Sequence, residues 1–211
     1  MMDFGGINPA VLIASLMVAS VPILLAAIGE LVVEKSGVLN LGVEGMMIMG
    51  AICGFITAVS TGSPVLGFLG GAAGGAALAL VFAFLTQTLL ANQVACGLAL
   101  TLFGLGLSSL IGQGYNGIKP PLTQAVPFGP LSDIPVLGRI LFSHDWMVYA
   151  SVGVVAAVWY VLKYARIGLI LRAVGENHDA AHALGYKVQR IRLMAILFGG
   201  RWQAWVVPIS A

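Results

Sequence analysis

Five long, almost uncharged apolar runs leave this chain little choice of fold. They cover residues 9–28, 38 or 46 to 59, 64–90, 94–111 and 146–162. A helix needs about 20 mostly apolar residues to cross the hydrocarbon core of a bilayer, where lipid offers the backbone no hydrogen bonds. The expected fold is therefore all-α: a polytopic transmembrane helical bundle of about five complete spans, with a sixth beginning near Leu193. Composition supports this, since 59% of residues are apolar and only 9% charged, against about 25% charged in soluble domains. Pro22 is expected to kink the first span. No basic residue precedes Lys35, so the first run reads as a retained helix rather than a cleavable signal. The net charge of +2 makes no case for nucleic acid. Cys53 and Cys96 lie inside apolar runs and read as small buried hydrophobes, not a disulfide.

Orientation follows from the basic residues. Lys163, Arg166, Arg172, Lys187, Arg190 and Arg192 fall between the fifth and sixth spans. The positive-inside rule makes that stretch cytoplasmic. Counting back through the spans puts residues 112–145 and the N-terminus outside. Trp146 and Tyr149 at one end of the fifth span, and Trp159 and Tyr160 at the other, read as interfacial belts. Five of the nine prolines lie in 112–145, which reads as an irregular external segment. Its 134–142 portion is apolar enough to rest on the membrane surface, either as a partner contact or as a spacer.

Gly67, Gly71 and Gly75 recur every fourth residue, stacking on one helix face that admits a close neighbour. Thr61 to Pro64 reads as a tight external turn. Several chemical look-alikes fail on context. Gly112, Gly114 and Gly117 have dinucleotide-loop spacing but no preceding strand. Lys35-Ser36 resembles the end of a phosphate loop, yet Glu34 stands where glycine is required. His178 and His182 share a helix face without a third ligand. No cofactor or metal is expected.

Two polar segments stand out. Residues 29–45 hold Glu30, Glu34, Glu44, Lys35, Ser36 and Asn40 among apolar neighbours. Polar groups at membrane depth are costly, so the segment must line water, pack within the bundle or form a cytoplasmic loop. Gly37, Gly42 and Gly45 permit a broken helix bordering a translocation pathway, for which Glu30, Glu34, Ser36, Asn40 and Glu44 are the candidate residues. In residues 172–194, Asn177 can cap a short helix that Gly185 can end. Such a helix, set between two spans, suits docking against another protein or serves as a solvated connector.

The runs GELVVEKSGVLNLGVEGMMIMGA (29–51) and LRAVGENHDAAHALGYKVQRIRL (171–193) together resemble permease subunits of bacterial ATP-binding-cassette importers. The likeness lies in the branch serving branched-chain amino acids, simple sugars and nucleosides, and is nearest to nucleoside-type systems. It covers about residues 10–200. It implies import across the cytoplasmic membrane by alternating access, with no covalent chemistry on this chain. The partners implied are a separate ATPase subunit, an extracytoplasmic substrate-binding lipoprotein and a second permease subunit, in contact with membrane lipid. It also implies that Glu176, Ala180, Ala181 and Gly185 sit in the loop that couples to the ATPase.

The family continues beyond Gly200 through further helices, whereas this sequence reads RWQAWVVPISA. The codons for Trp202-Gln203 and Trp205-Val206, read one base out of frame, contain alanine and glycine. Residues 1–200 are thus expected to form an incomplete permease domain, and 201–211 an out-of-frame tail. The alternatives are an ion-coupled secondary transporter, for which no internal repeat is found, an intramembrane enzyme, for which no nucleophile–base pair is found, and an inactive truncated scaffold.

Overall fold

The computed structural model describes residues 9–118 and 146–203, and every regular element among them is helical. In chain order these are α1 (Pro9–Lys35), α2 (Val43–Thr61), α3 (Pro64–Ala83), α4 (Gln93–Gly112), α5 (Trp146–Tyr164), α6 (Arg166–Glu176), α7 (His178–Ala183) and α8 (Val188–Gln203). A π-helical turn over Phe84–Thr88 extends α3, and a 3-10 turn over Gln113–Tyr115 closes α4. Five helices are long and apolar enough to cross a membrane: 11–35, 43–61, 64–88, 93–115 and 146–164. The protein is a multi-pass membrane protein. Its outward faces carry Leu16, Ile23, Leu69, Leu102 and Phe103, all well exposed, as suits a surface whose solvent is hydrocarbon. The apolar 134–142 portion lies outside the described residues.

The boundaries differ from the sequence reading in informative places. The first helix does not stop at residue 28 but runs through Glu30 and Glu34 to Lys35, and it is continuous across Pro22. Glu30 can remain helical at this depth because its carboxylate meets two donors, the Asn40 backbone N–H at 3.1 Å and Gln203 Nε2 at 3.3 Å. The last helix begins at Val188, before the expected Leu193, and its 16 residues end at Gln203. The remainder of the 201–211 tail lies outside the described residues.

Glycine sets the packing distances. The α2–α3 turn closes with Gly62 at φ +67° and Pro64 in the first turn of α3, a left-handed position followed by a residue pre-set for helix. A Cβ on Gly67 would stand 2.7 Å from Ala58 Cβ, and one on Gly74 2.7 Å from Cys53 Sγ, so α2 and α3 touch nearly backbone to backbone. Gly71 is buried on the same helix. Gly75 faces elsewhere: its carbonyl lies 2.9 Å from where a Gly200 Cβ would sit. The glycines of α3 therefore serve two neighbours, α2 and α8. On its other side α8 meets α1, where a Gly199 Cβ would lie 3.2 Å from the Gly29 carbonyl oxygen. Thus α8 is wedged between α1 and α3. Val33, Val38, Met46, Phe82, Leu100 and Ile196 fill the core around this wedge.

The spans alternate in direction and define two ends. One end holds the α2–α3 turn and the α5 start, where Trp146 meets Phe68 edge-on at 5.0 Å. The other gathers the α1–α2 turn, the 84–92 segment and the α6–α8 region. Lys163 lies at this second end, its Nζ 5.1 Å from the Trp159 ring centre and 5.4 Å from that of Tyr164. Such cation–π contacts fit an interfacial anchor.

Candidate functional site

Residues 36–42, which join α1 to α2, form a turn tied to α1, α4 and α8. Gly37 takes φ +79°, a left-handed value that frees the chain to reverse. Ser36 is fully buried, and its hydroxyl donates to the Val33 carbonyl at 2.6 Å. Asn40 is 1% exposed. Its side-chain oxygen accepts the Gly42 N–H at 2.9 Å, and its Nδ2 lies 3.6 Å from Met46 Sδ. The Leu39 N–H donates to Gln93 Oε1 at 2.8 Å, and Thr101 Oγ1 donates to the Leu41 carbonyl at 3.1 Å. Arg192 Nε donates to the Ser36 carbonyl at 3.2 Å. The Leu39 and Gly42 amides and the Ser36 and Leu41 carbonyls thus find side-chain partners where the helical ladder is interrupted.

The five candidate pathway residues are therefore not equivalent. Glu30, Ser36 and Asn40 are committed to the shape of the turn. Glu34 and Glu44 are exposed. The sequence reading missed Gln93, Thr101, Arg192 and Gln203, the side chains that hold the turn and Glu30 from a distance. Gln203 is fully buried, and its Oε1 has no hydrogen-bond partner among the described residues.

The second site is the corner α6–α7–α8. Asn177 Oδ1 caps α7 by accepting the Ala180 N–H at 2.9 Å. Gly185 stands at φ +88° just beyond the helix, its N–H donating to the His182 carbonyl at 2.9 Å. Ala181 turns inward onto Val174 and Val188, whereas Glu176, Ala180 and Gly185 are exposed. Of the four residues implied for coupling, one anchors the helix and three face out. Leu184 is 77% exposed, a large apolar side chain presented just beyond the end of α7. His178 lies 3.4 Å from the Asp179 carboxylate. Among the described residues no group of His, Cys, Asp and Glu is arranged to hold a metal.

Two grooves flank this corner. One, of about 570 Å³, separates α7 from the α3–α4 connection and is lined by Gln87, Leu90, His178, His182, Lys187 and Arg190. The other, of about 830 Å³, runs between α5 and α8 past Ala157, Val161, Met194 and Phe198. The second has an almost wholly apolar wall and is unsuited to a polar solute.

The chain is thus a bundle of alternating membrane helices with a capped helix at its basic end. Residues 12–205 match the family described as the branched-chain amino acid transport system / permease component, and the chain belongs to that family. It is 41% identical over 187 residues to the putative glucose ABC transporter permease protein TsgC13 of Haloferax volcanii, covering 86% of this chain and 56% of the relative. It is 30% identical over 205 residues to the guanosine ABC transporter permease protein NupQ of Bacillus subtilis, covering 90% of this chain and 64% of the relative. It is 32% identical over 203 residues to the nucleoside ABC transporter permease protein NupC of Lactococcus lactis, covering 90% and 63%. This chain thus spans little more than half to under two thirds of the length of those relatives. No solved structure matches it.

Proposed function

We propose that this protein is a permease subunit of an ATP-binding-cassette importer, carrying a small polar solute across the cytoplasmic membrane by alternating access. A nucleoside is the favoured solute, with a sugar or branched-chain amino acid next. Two of the relatives above are named for guanosine and nucleoside transport and one for glucose. ATP hydrolysis falls to a separate ATPase subunit, delivery to an external binding lipoprotein, and the second half of the path to another permease subunit. The basic end faces the cytoplasm. The residues 29–45 border the path, with Glu34 and Glu44 offering exposed carboxylates while Glu30, Ser36 and Asn40 keep the turn in shape.

One observation carries this reading. Helix α7 is six residues long, capped at Asn177 and ended at Gly185, with Ala180 facing out and Glu176, the last residue of α6, exposed beside it. Caps of this kind can close any short helix; here they hold rigid an exposed face of the sort that can fit a partner's groove. Deleting the gene from its own cell should abolish ATP-dependent guanosine uptake, and loss of the partner ATPase gene should do the same. Uptake that survives loss of the ATPase but collapses with the ion gradient would instead establish a secondary transporter.

A further inference from the structure

The docking corner and the 36–42 turn are far apart in sequence and joined in space. The C-terminal end of α6 runs against the end of α1 so closely that a Cβ on Gly175 would collide with the Lys35 carbonyl oxygen and stand 3.1 Å from the Gly37 nitrogen. One turn into α8, Arg192 donates to the Ser36 carbonyl across 156 residues of sequence. Ala181 locks α7 onto both helices through Val174 and Val188, all buried. These contacts make α6, α7, the start of α8 and the 36–42 turn one continuous packed body. On the other side of α7 lies the groove of about 570 Å³, which leaves α7 unsupported by the α3–α4 connection. A push on α7 is therefore passed through packed contacts to the α1–α2 corner, and from there to the start of α4 through the Leu39–Gln93 bond.

We infer that Arg192 and Gly175 are positioning residues that transmit movement of the docking helix α7 to the 36–42 turn, and so to α1 and α2. The inference rests on the reading of α7 as the ATPase-docking helix. Close-packed elements transmit displacement because they have little free volume to absorb it. An arginine bond to a buried carbonyl is charge-assisted and stronger than a neutral one. The turn itself supplies the readout, because the Leu39, Asn40 and Gly42 amides each donate to a side chain, and their exchange with solvent reports how firmly the turn is held.

The test is hydrogen exchange on the purified protein, with and without its ATPase, alongside copurification. In the native chain, ATPase binding should slow exchange at Leu39, Asn40 and Gly42 by about tenfold, the scale of one charge-assisted hydrogen bond. Arg192→Lys, which keeps a cationic donor, should retain much of the effect. Arg192→Ala should still copurify with the ATPase yet lose it. Gly175→Ala, which wedges α6 off α1 without touching the arginine, should lose it as well and covers the case in which Arg192→Ala fails to fold. The same slowing in both Arg192→Ala and Gly175→Ala would overturn the inference, as would no slowing in a native chain that binds the ATPase. Failure of the native chain to bind the ATPase would refute the docking reading itself.

Discussion

Replacing Asn40 by alanine separates a turn-holding residue from a solute contact. Asn40 is 1% exposed, and its Oδ1 is the acceptor for the Gly42 N–H at 2.9 Å. Alanine leaves that amide without a partner. A buried backbone donor left unsatisfied costs about 1–3 kcal/mol, or roughly 5- to 150-fold in the ratio of folded to unfolded protein. The control is Leu39→Ala in the same turn, where the side chain is 42% exposed and the change should stay within about 0.5 kcal/mol. Equilibrium unfolding in mixed detergent micelles measures both. An Asn40→Ala chain no less stable than Leu39→Ala would refute the argument that the side chain is spent on the turn. A solute contact would instead show as weakened solute affinity at unchanged stability.

Three further outcomes are expected. With Cys53 and Cys96 replaced by alanine, Thr61→Cys should react with an impermeant thiol reagent from outside the cell and His182→Cys should not; the opposite labelling would invert the orientation. Gly104→Ala should destabilise by about 1–3 kcal/mol, since the new Cβ would lie 2.7 Å from the Gly45 carbonyl oxygen and 2.8 Å from its Cα. Gly106→Ala, with nothing within 4 Å, should be neutral or slightly stabilising, and the two are compared by the same unfolding titration. Gly185→Val should leave membrane insertion intact while weakening ATPase copurification, because valine pays about 1–2 kcal/mol to hold φ at +88°.

What could be read from the sequence is what local chemistry decides. The spans follow from run length and the scarcity of charge, and the caps of α7 from residues three apart, Asn177 and Ala180. Gly185 is legible because only glycine takes its left-handed angle cheaply. What could not be read depends on partners brought together by the fold. Glu30, Glu34 and Lys35 look like the end of a span, yet α1 continues through them because Asn40 and Gln203, 10 and 173 residues away, satisfy Glu30. The α3 glycines announce a close-packed face, but nothing in their spacing says that Gly67 meets Ala58 while Gly75 meets Gly200. Arg192 reads simply as one more cytoplasmic charge, and its bond to the Ser36 carbonyl becomes visible only once α8 lies beside α1.

Site-specific crosslinking tests directly whether α7 seats in a separate ATPase. In a chain lacking Cys53 and Cys96, a photoactivatable maleimide is attached to Ala180→Cys, on the exposed side of α7, or to Thr61→Cys at the opposite end of the bundle. Illumination of membranes that also contain the ATPase should give a permease–ATPase adduct from position 180 and none from position 61. An adduct from position 61, or none from position 180 with the ATPase present, would contradict the account.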